Sequence, residues 1–235
     1  MKKTLFSLLG GLAAVLSVVS CNDKNDNTTP PSSAVGIVNA SPDAGNVDVY
    51  IGGNLAVQNF AYGSDTGYFV LSPGSYSFQV APTATSNFAV NTNLSFAPGV
   101  TYSVFAIDSL SSMQVAAVTD SFTVPSTDSV LVRFFNFCPN LPPVDFAVTG
   151  GATWFSNRSF NDQSATTAYQ AFTKVPAGTY NLELRAAGTA TVTLPIPSVT
   201  LQGGKVYTLY ARGFVGGAGT QALSIGTVIH NESIQ

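Results

Sequence analysis

The chain carries NASPDAGNVDVYIGG at residues 39–53 and NFCPNLPPVDFAVTGG at residues 136–151. Pro42 and Val47-Asp48-Val49 of the first stretch correspond to Pro139 and Val144-Asp145-Phe146 of the second. Further on, Gly74-Ser75-Tyr76 is matched by Gly178-Thr179-Tyr180. Gly99 with Tyr102-Ser103-Val104-Phe105-Ala106 is matched by Gly204 with Tyr207-Thr208-Leu209-Tyr210-Ala211. The order is kept, so the chain reads as two copies of one unit. The spacing widens after the first match, which places inserted residues in the second copy, expected on a loop around Ala152–Thr167.

The matched segments alternate with period two, the pattern of half-buried strands. In SYSFQV, Tyr76, Phe78 and Val80 point one way and Ser75, Ser77 and Gln79 the other. TYNLELR sets Tyr180, Leu182 and Leu184 against Thr179, Asn181, Glu183 and Arg185. Tyr102, Val104 and Ala106 correspond in the same way to Tyr207, Leu209 and Ala211. The residues kept between copies therefore line the inward faces of strands. Turn signals such as Gly52-Gly53-Asn54, Ser72-Pro73-Gly74, Ala97-Pro98-Gly99, Pro176-Ala177-Gly178 and Gly203-Gly204 separate short runs. No stretch after the leader shows a helical period. This spacing predicts an all-β protein: two tandem immunoglobulin-like or transthyretin-like antiparallel β-sandwiches of about seven strands each. They are expected over residues 35–124 and 125–235, joined near Val124–Asp128 closely enough to restrict their mutual orientation.

Composition agrees with that class. Hydrophobic residues make up 45% and charged residues only 9%, with 21 Gly, 16 Phe and 9 Tyr. The formal net charge is −3 and no basic patch appears, which argues against nucleic acid as a partner.

Residues 1–20, MKKTLFSLLGGLAAVLSVVS, pair a two-lysine start with an apolar run interrupted by Gly10, Gly11 and Ser17. That run is short for a membrane span, which needs about 20 apolar residues, and reads as a signal peptide. Val18-Val19-Ser20-Cys21 resembles the bacterial lipobox, which implies cleavage before Cys21 and lipidation of its thiol and amine. Residues 21–34 are polar and predict a disordered tether. This segment resembles the export tethers of surface lipoproteins in the Bacteroidota, although Lys24 and Asn25 interrupt its acidic residues Asp23 and Asp26. A lipid on Cys21 would anchor the protein to the outer membrane, on its periplasmic or its surface side. With Cys21 lipidated, Cys138 has no intrachain partner and reads as a small buried hydrophobe.

Asn39-Ala40-Ser41-Pro42-Asp43-Ala44, followed by Val47-Asp48-Val49-Tyr50, resembles the opening signature of the DUF4397 domain, HASPDAPxVDVY. Asn39 stands in place of the usual His and Gly45 in place of the usual Pro. The second copy departs further, with Phe137-Cys138 and Asn140. The resemblance implies a β-sandwich in the cell envelope, in tandem copies, and no particular chemistry.

Asp43, Asn46 and Asp48 supply oxygens of the kind calcium takes. The second copy has Asn140, Pro143 and Asp145 at those places, and a proline ring cannot replace a ligating amide. Scaffold is the stronger reading: Pro42 and Pro139 start a turn, and Asp48 faces out or caps it. No metal site and no cofactor are expected. The single histidine, His230, lies near the end of the sequence and reads as solvated, which leaves no Ser–His–Asp or Cys–His constellation. Asp48, Asp65, Asp108 and Asp120 read as scattered loop carboxylates rather than a glycosidase pair. The expectation is a non-enzyme.

Binding is the function class that remains, and the stretch 150–170 is its expected seat. Trp154, Phe155, Arg158 and Asn161 place aromatics beside polar groups, a combination suited to stacking on a sugar. The leading expectation is a non-catalytic, membrane-anchored envelope module that binds a surface protein or glycan. The alternative is a carbohydrate-binding lipoprotein of a glycan-uptake system, and Trp154 and Phe155 plugging the second core is the competing structural reading.

Overall fold

A computed structural model describes residues 32–231. The expected signal peptide, Cys21 and nearly all of the expected tether lie outside the described residues. Among these, strands are joined by turns and four short 3-10 turns, and no helix is long and apolar enough to cross a membrane.

The first sandwich has eight strands: β1 (Ser33–Asn39), β2 (Val47–Ile51), β3 (Asn54–Phe60), β4 (Asp65–Leu71), β5 (Gly74–Pro82), β6 (Val90–Phe96), β7 (Thr101–Ile107) and β8 (Gln114–Thr119). The second repeats the count with β9 (Ser129–Asn136), β10 (Val144–Val148), β11 (Thr153–Arg158), β12 (Thr173–Pro176), β13 (Gly178–Ala186), β14 (Val192–Leu201), β15 (Val206–Arg212) and β16 (Ser224–Ile229). Sheet orders are β4-β1-β7-β8 and β3-β2-β5-β6 in the first, and β12-β9-β15-β16 and β11-β10-β13-β14 in the second. The topology is thus the same in both. One feature departs from the all-antiparallel expectation. β1 runs parallel to β7, and β9 parallel to β15. The other sheet of each sandwich intervenes between these partners in sequence, which supplies the long crossover that parallel pairing needs.

The residues shared between the two sequence segments hold equivalent structural positions. Tyr76 Oη donates to Ser72 O at 2.9 Å, and Tyr180 Oη to Pro176 O at 2.7 Å. Tyr102 Oη accepts from Ala97 N–H and Tyr207 Oη from Gln202 N–H, both at 3.0 Å. Asp48 and Asp145 are buried rather than solvated, on the strand face opposite their core-facing neighbours Val47, Val49, Val144 and Phe146. Each fastens a bulge in the neighbouring strand, where Asn59 and Asn157 adopt positive φ. Asp48 Oδ1 accepts from Asn59 N–H at 2.8 Å, and Asp145 Oδ1 from Asn157 N–H at 2.7 Å. The Val-Asp motif is therefore scaffold: its carboxylate satisfies a backbone donor that the bulge removes from the ladder.

Each sandwich has its own core. Val35, Ile37, Val49, Phe78, Val80 and Val104 lie in the first; Val132, Phe134, Phe146, Leu182, Leu184 and Leu209 lie in the second. A third apolar cluster belongs to neither. Val38, Phe105, Ile107, Ala116 and Val118 from the first sandwich meet Phe135, Phe137, Tyr210 and Val228 from the second. Sheet β4-β1-β7-β8 thus packs against sheet β12-β9-β15-β16, and β1, β7, β9 and β15 are buried on both faces. Phe105 contacts the rings of Phe135, Phe137 and Tyr210 at centroid distances of 6.1, 4.9 and 5.6 Å.

The extra residues of the second copy fall later than the sequence indicates. Thr153–Arg158 is strand β11, paired antiparallel with β10. The insertion is the β11–β12 connection, residues 159–172, where the first sandwich has only residues 61–64 between β3 and β4. It holds 3-10 turns at Asp162–Ser164 and Thr167–Gln170.

Replacing Phe105 by Ala leaves a cavity between the sandwiches and is expected to cost about 3–5 kcal/mol. Urea unfolding followed by the fluorescence of Trp154, which lies in the other sandwich, should show the loss as a lower midpoint. A Trp154 transition unmoved by this change would show that the sandwiches unfold independently.

Candidate functional site

Beside the apolar inter-sandwich cluster, a fully buried arginine stands on β9. Arg133 on β9 is 0% exposed. Its Nη2 pairs with the carboxylate of Asp120, just past β8. Its Nε donates to Thr208 Oγ1 at 2.7 Å, and its Nη1 to Thr119 O at 3.0 Å and Gln170 O at 3.3 Å. The guanidinium also lies over the ring of Phe172 at 4.3 Å and that of Phe135 at 4.9 Å. Asp120 Oδ2 accepts from Tyr68 Oη and Ser103 Oγ, each at 2.7 Å.

His230 completes the arrangement, and here the expectation of a solvated histidine is overturned. It is 3% exposed, with Nδ1 2.5 Å from Tyr68 Oη and Nε2 2.5 Å from Thr208 Oγ1. His230 and Asn231 are held in place because Val206 O accepts from His230 N–H at 2.9 Å and Asn231 bonds to both Val206 and Gly204. A neutral imidazole satisfies every member: Arg133 donates to Thr208, Thr208 to Nε2, Nδ1–H to Tyr68, and Tyr68 to Asp120, which Arg133 pairs in turn. Three of these groups come from each sandwich once Ser103 is included. Burial lowers the His230 pKa from its ordinary 6.5 to about 4; Asp120 opposes the drop and Arg133 adds to it. Burial, reinforced by the Asp120 charge, raises that of Tyr68, which keeps the phenol a donor. Asp120 is also not the solvated loop carboxylate the sequence suggests.

The network has an opening beside it. A cleft of about 620 Å³ is walled by Asn93–Phe96 on β6, by Ala117–Thr119 on β8 with Ser121, and by Tyr102. Its rim is the insertion turn, through Thr167, Gln170 and Ala171. No charged side chain lines it. β6 and β8 are edge strands of the two facing sheets of the first sandwich, so the cleft sits at that sandwich's open side. Arg133 Nη1 bridges carbonyls on opposite walls, Thr119 and Gln170, and so holds the rim against β8.

The residues singled out in the sequence lie elsewhere. Trp154 and Phe155 are half-buried on β11 and pack on the second core, Trp154 edge-on to Tyr180 at 5.1 Å and Phe155 beside Phe146 at 6.2 Å. They are not bare aromatics on a loop. Arg158 is 2% exposed, paired with Asp162, bonded to Phe134 O and stacked over Tyr169 at 4.2 Å. Asn161 holds a left-handed turn at φ 52° and accepts from Gln163 and Ser164. These residues shape the insertion. Cys138 is buried in the second core, where burial raises its thiol pKa. Asp43 accepts from Leu110 N–H, Asn46 bonds Asn59, and Asp48 is engaged as described. Among the described residues no group of three His, Cys, Asp or Glu is placed to hold a metal ion. The signal for the buried network was present in VLVRFFNF, where one charge stands inside a run apolar on both faces.

Residues 33–147 match the family model of the domain of unknown function DUF4397. The match begins with β1 and ends within β10, so it takes in the first sandwich and the opening of the second. A comparison with curated proteins finds no match. Two solved structures are similar in part. One concerns alpha-glucan binding by a streptococcal virulence factor: TM-score 0.25, 12% identity, covering 76% of this chain and 92% of that one. The other concerns alpha-glucan recognition by family 41 carbohydrate-binding modules from streptococcal virulence factors: TM-score 0.23, 11% identity, 70% and 84% covered. Superpositions this loose do not bear on what this chain binds.

Because the folded-state pKa of His230 is depressed, its contribution to stability is complete above pH 6.5 and is lost as the pH falls toward 4. The loss is on the order of 3 kcal/mol over that window. Denaturant midpoints measured from pH 7.5 to 4.5 should decline, and a His230→Gln variant should show a flatter decline. Parallel profiles for the two proteins would remove His230 as the cause.

Proposed function

We propose that this chain is a non-catalytic binding module of the cell envelope, anchored by lipid on Cys21 and offering the cleft between β6, β8 and the insertion to an uncharged polar ligand. The observation that carries the reading is the cleft itself. Its volume lies in the range of ligand sites, its walls mix Asn93, Ser95, Thr119 and Gln170 with Leu94, Phe96 and Tyr102, and it bears no charge. The only histidine and Asp120 are sealed into the inter-sandwich ring, away from the cleft. The lipobox-like Val18–Cys21 supports the anchor, and the likeness of the segment after Cys21 to the tethers of Bacteroidota surface lipoproteins supports an outer-membrane location. Surface or periplasmic exposure of the cleft fits either a protein or a glycan as ligand.

Ala117 is exposed within the cleft, so Ala117→Trp puts bulk into it without disturbing either core. A thermal-shift screen of neutral oligosaccharides and uncharged peptides should find stabilising members whose effect is lost in Ala117→Trp. No stabilisation by any member, or stabilisation indifferent to the substitution, would sink the reading of the cleft.

For the anchor, the native protein should partition into the detergent phase of a Triton X-114 extraction. Cys21→Ser should move it to the aqueous phase. Aqueous partitioning of both would show that Cys21 carries no lipid.

A further inference from the structure

The outward-facing backbone of β8 can be read from its ladder. Asp120 N–H donates to Thr101 O at 2.8 Å, and the register pairs Tyr102 with Thr119, Val104 with Ala117, and Ala106 with Val115. Bonded and non-bonded pairs alternate in an antiparallel ladder. Thr119, Ala117 and Val115 therefore turn their N–H and C=O groups away from β7. At Thr119 both are occupied: the N–H by Gln170 Oε1 at 3.4 Å, and the C=O by Arg133 Nη1. At Ala117, exposed in the cleft, neither group has a partner among the described residues.

Gln170 shows what chemistry suits this edge. Its side-chain amide is the chemical equivalent of a peptide group, and it lies where the first rung of an added strand would lie. The bond is long for N–H···O, so it is readily exchanged or extended. The next free rungs, Ala117 and Val115, are two residues apart, about 6.6 Å along the strand, the repeat that a second strand presents. Four other edges of the molecule are blunted against such pairing. β14 carries Pro195 and Pro197, β3 and β11 are bulged at Asn59 and Asn157, and β12 contains Lys174 and ends at Pro176. β8 and the facing β6 have no proline, no charge and no such bulge.

From this we infer that the cleft accepts an extended, uncharged peptide segment of another protein, which adds to β8 as a strand through the backbone groups of Ala117 and Val115. The inference rests on the reading of the cleft as the ligand site and narrows its ligand to a polypeptide. The absence of charge in the walls selects against acidic or basic segments, whose desolvation nothing here would offset. Side chains of the segment would alternate between the half-apolar floor at Phe96 and Tyr102 and the solvent.

The test uses the full-length protein and a fluorescein-labelled, end-capped heptapeptide of alternating Ser/Thr and Val. Anisotropy should show saturable binding, and hydrogen exchange should show the Ala117 amide protected only in the complex. Ala117→Pro removes an N–H that bonds nothing in the fold, at an edge where proline is tolerated. It should leave the melting temperature within a few degrees and weaken the peptide by at least about tenfold. Ala117→Trp, which leaves the β8 backbone intact, is the second variant and should also abolish binding. Peptide binding unchanged in both variants, without amide protection, overturns the inference. Binding of cello- or maltohexaose that Ala117→Trp removes, with none of the peptide, overturns the inference and leaves the cleft reading standing. Failure of peptide and sugars alike removes both. A concentration-dependent dimer lost in Ala117→Pro would make the occupant a second copy of this chain and overturn the assignment to another protein.

Discussion

A guanidinium with no exposed surface has to find its acceptors inside the protein, and Arg133 draws them from four places at once. Thr208 belongs to β15, Thr119 to the end of β8, Asp120 to the segment that leaves the first sandwich, and Gln170 to the insertion. The net stabilisation from such a pair is small, because desolvating two charges offsets most of their attraction. Stability at this interface comes from the rings of Phe105, Phe135, Phe137 and Tyr210. What the charge contributes is selection. Ring packing tolerates sliding or rotation of one sheet over the other, whereas any displacement that separates Arg133 from Asp120 leaves a buried charge unpaired, at a cost of several kcal/mol. The apolar cluster makes the sandwiches adhere, and the polar ring fixes how.

That division explains which parts of the structure the sequence disclosed. Strands such as β5 and β13 bury one face, so period-two alternation exposes both their nature and their orientation. The inward set of Tyr102, Val104 and Ala106 was legible from its match to Tyr207, Leu209 and Ala211 in the second half of the chain. β1, β7, β9 and β15 bury both faces, and their sequences run without alternation, as in SVFAI and VLVRFFNF. Such runs are the mark of a strand covered on both sides. Arg133 inside one of them required a buried partner, yet sequence alone does not pair it with Asp120. Position near the end of the chain made His230 look solvated; what buries it is the pairing of β16 with β15 and the bonds of Asn231, neither of which has a local sequence signature.

The aromatic stretch around Trp154 was not recognisable as a strand for a related reason. Composition alone made TWFSNR resemble a binding loop. The strand that forms there directs Trp154 and Phe155 onto the second core, and Arg158 back across β9 to Phe134 O. The residues that line the cleft, Ala117, Thr119 and Gln170, are small or common polar types whose importance is positional. A cleft between two edge strands is a property of sheet order, and sheet order was not readable from the alternation pattern.

The two sandwiches share a topology but not a site. In the first, four residues' worth of turn at 61–64 links β3 to β4; in the second, the longer segment 159–172 reaches across the junction and supplies the rim of a cleft whose walls belong to the first. An isolated first sandwich would have the edges of β6 and β8 but no Thr167 or Gln170 opposite them. The site therefore depends on the angle between sheets, and that angle is what the ring of Arg133, Thr208, His230, Tyr68 and Asp120 determines. A rotation of one sheet on the other would leave both sandwich cores intact while carrying the rim away from β8. The buried ring thereby governs the geometry of the cleft without any of its side chains lining it.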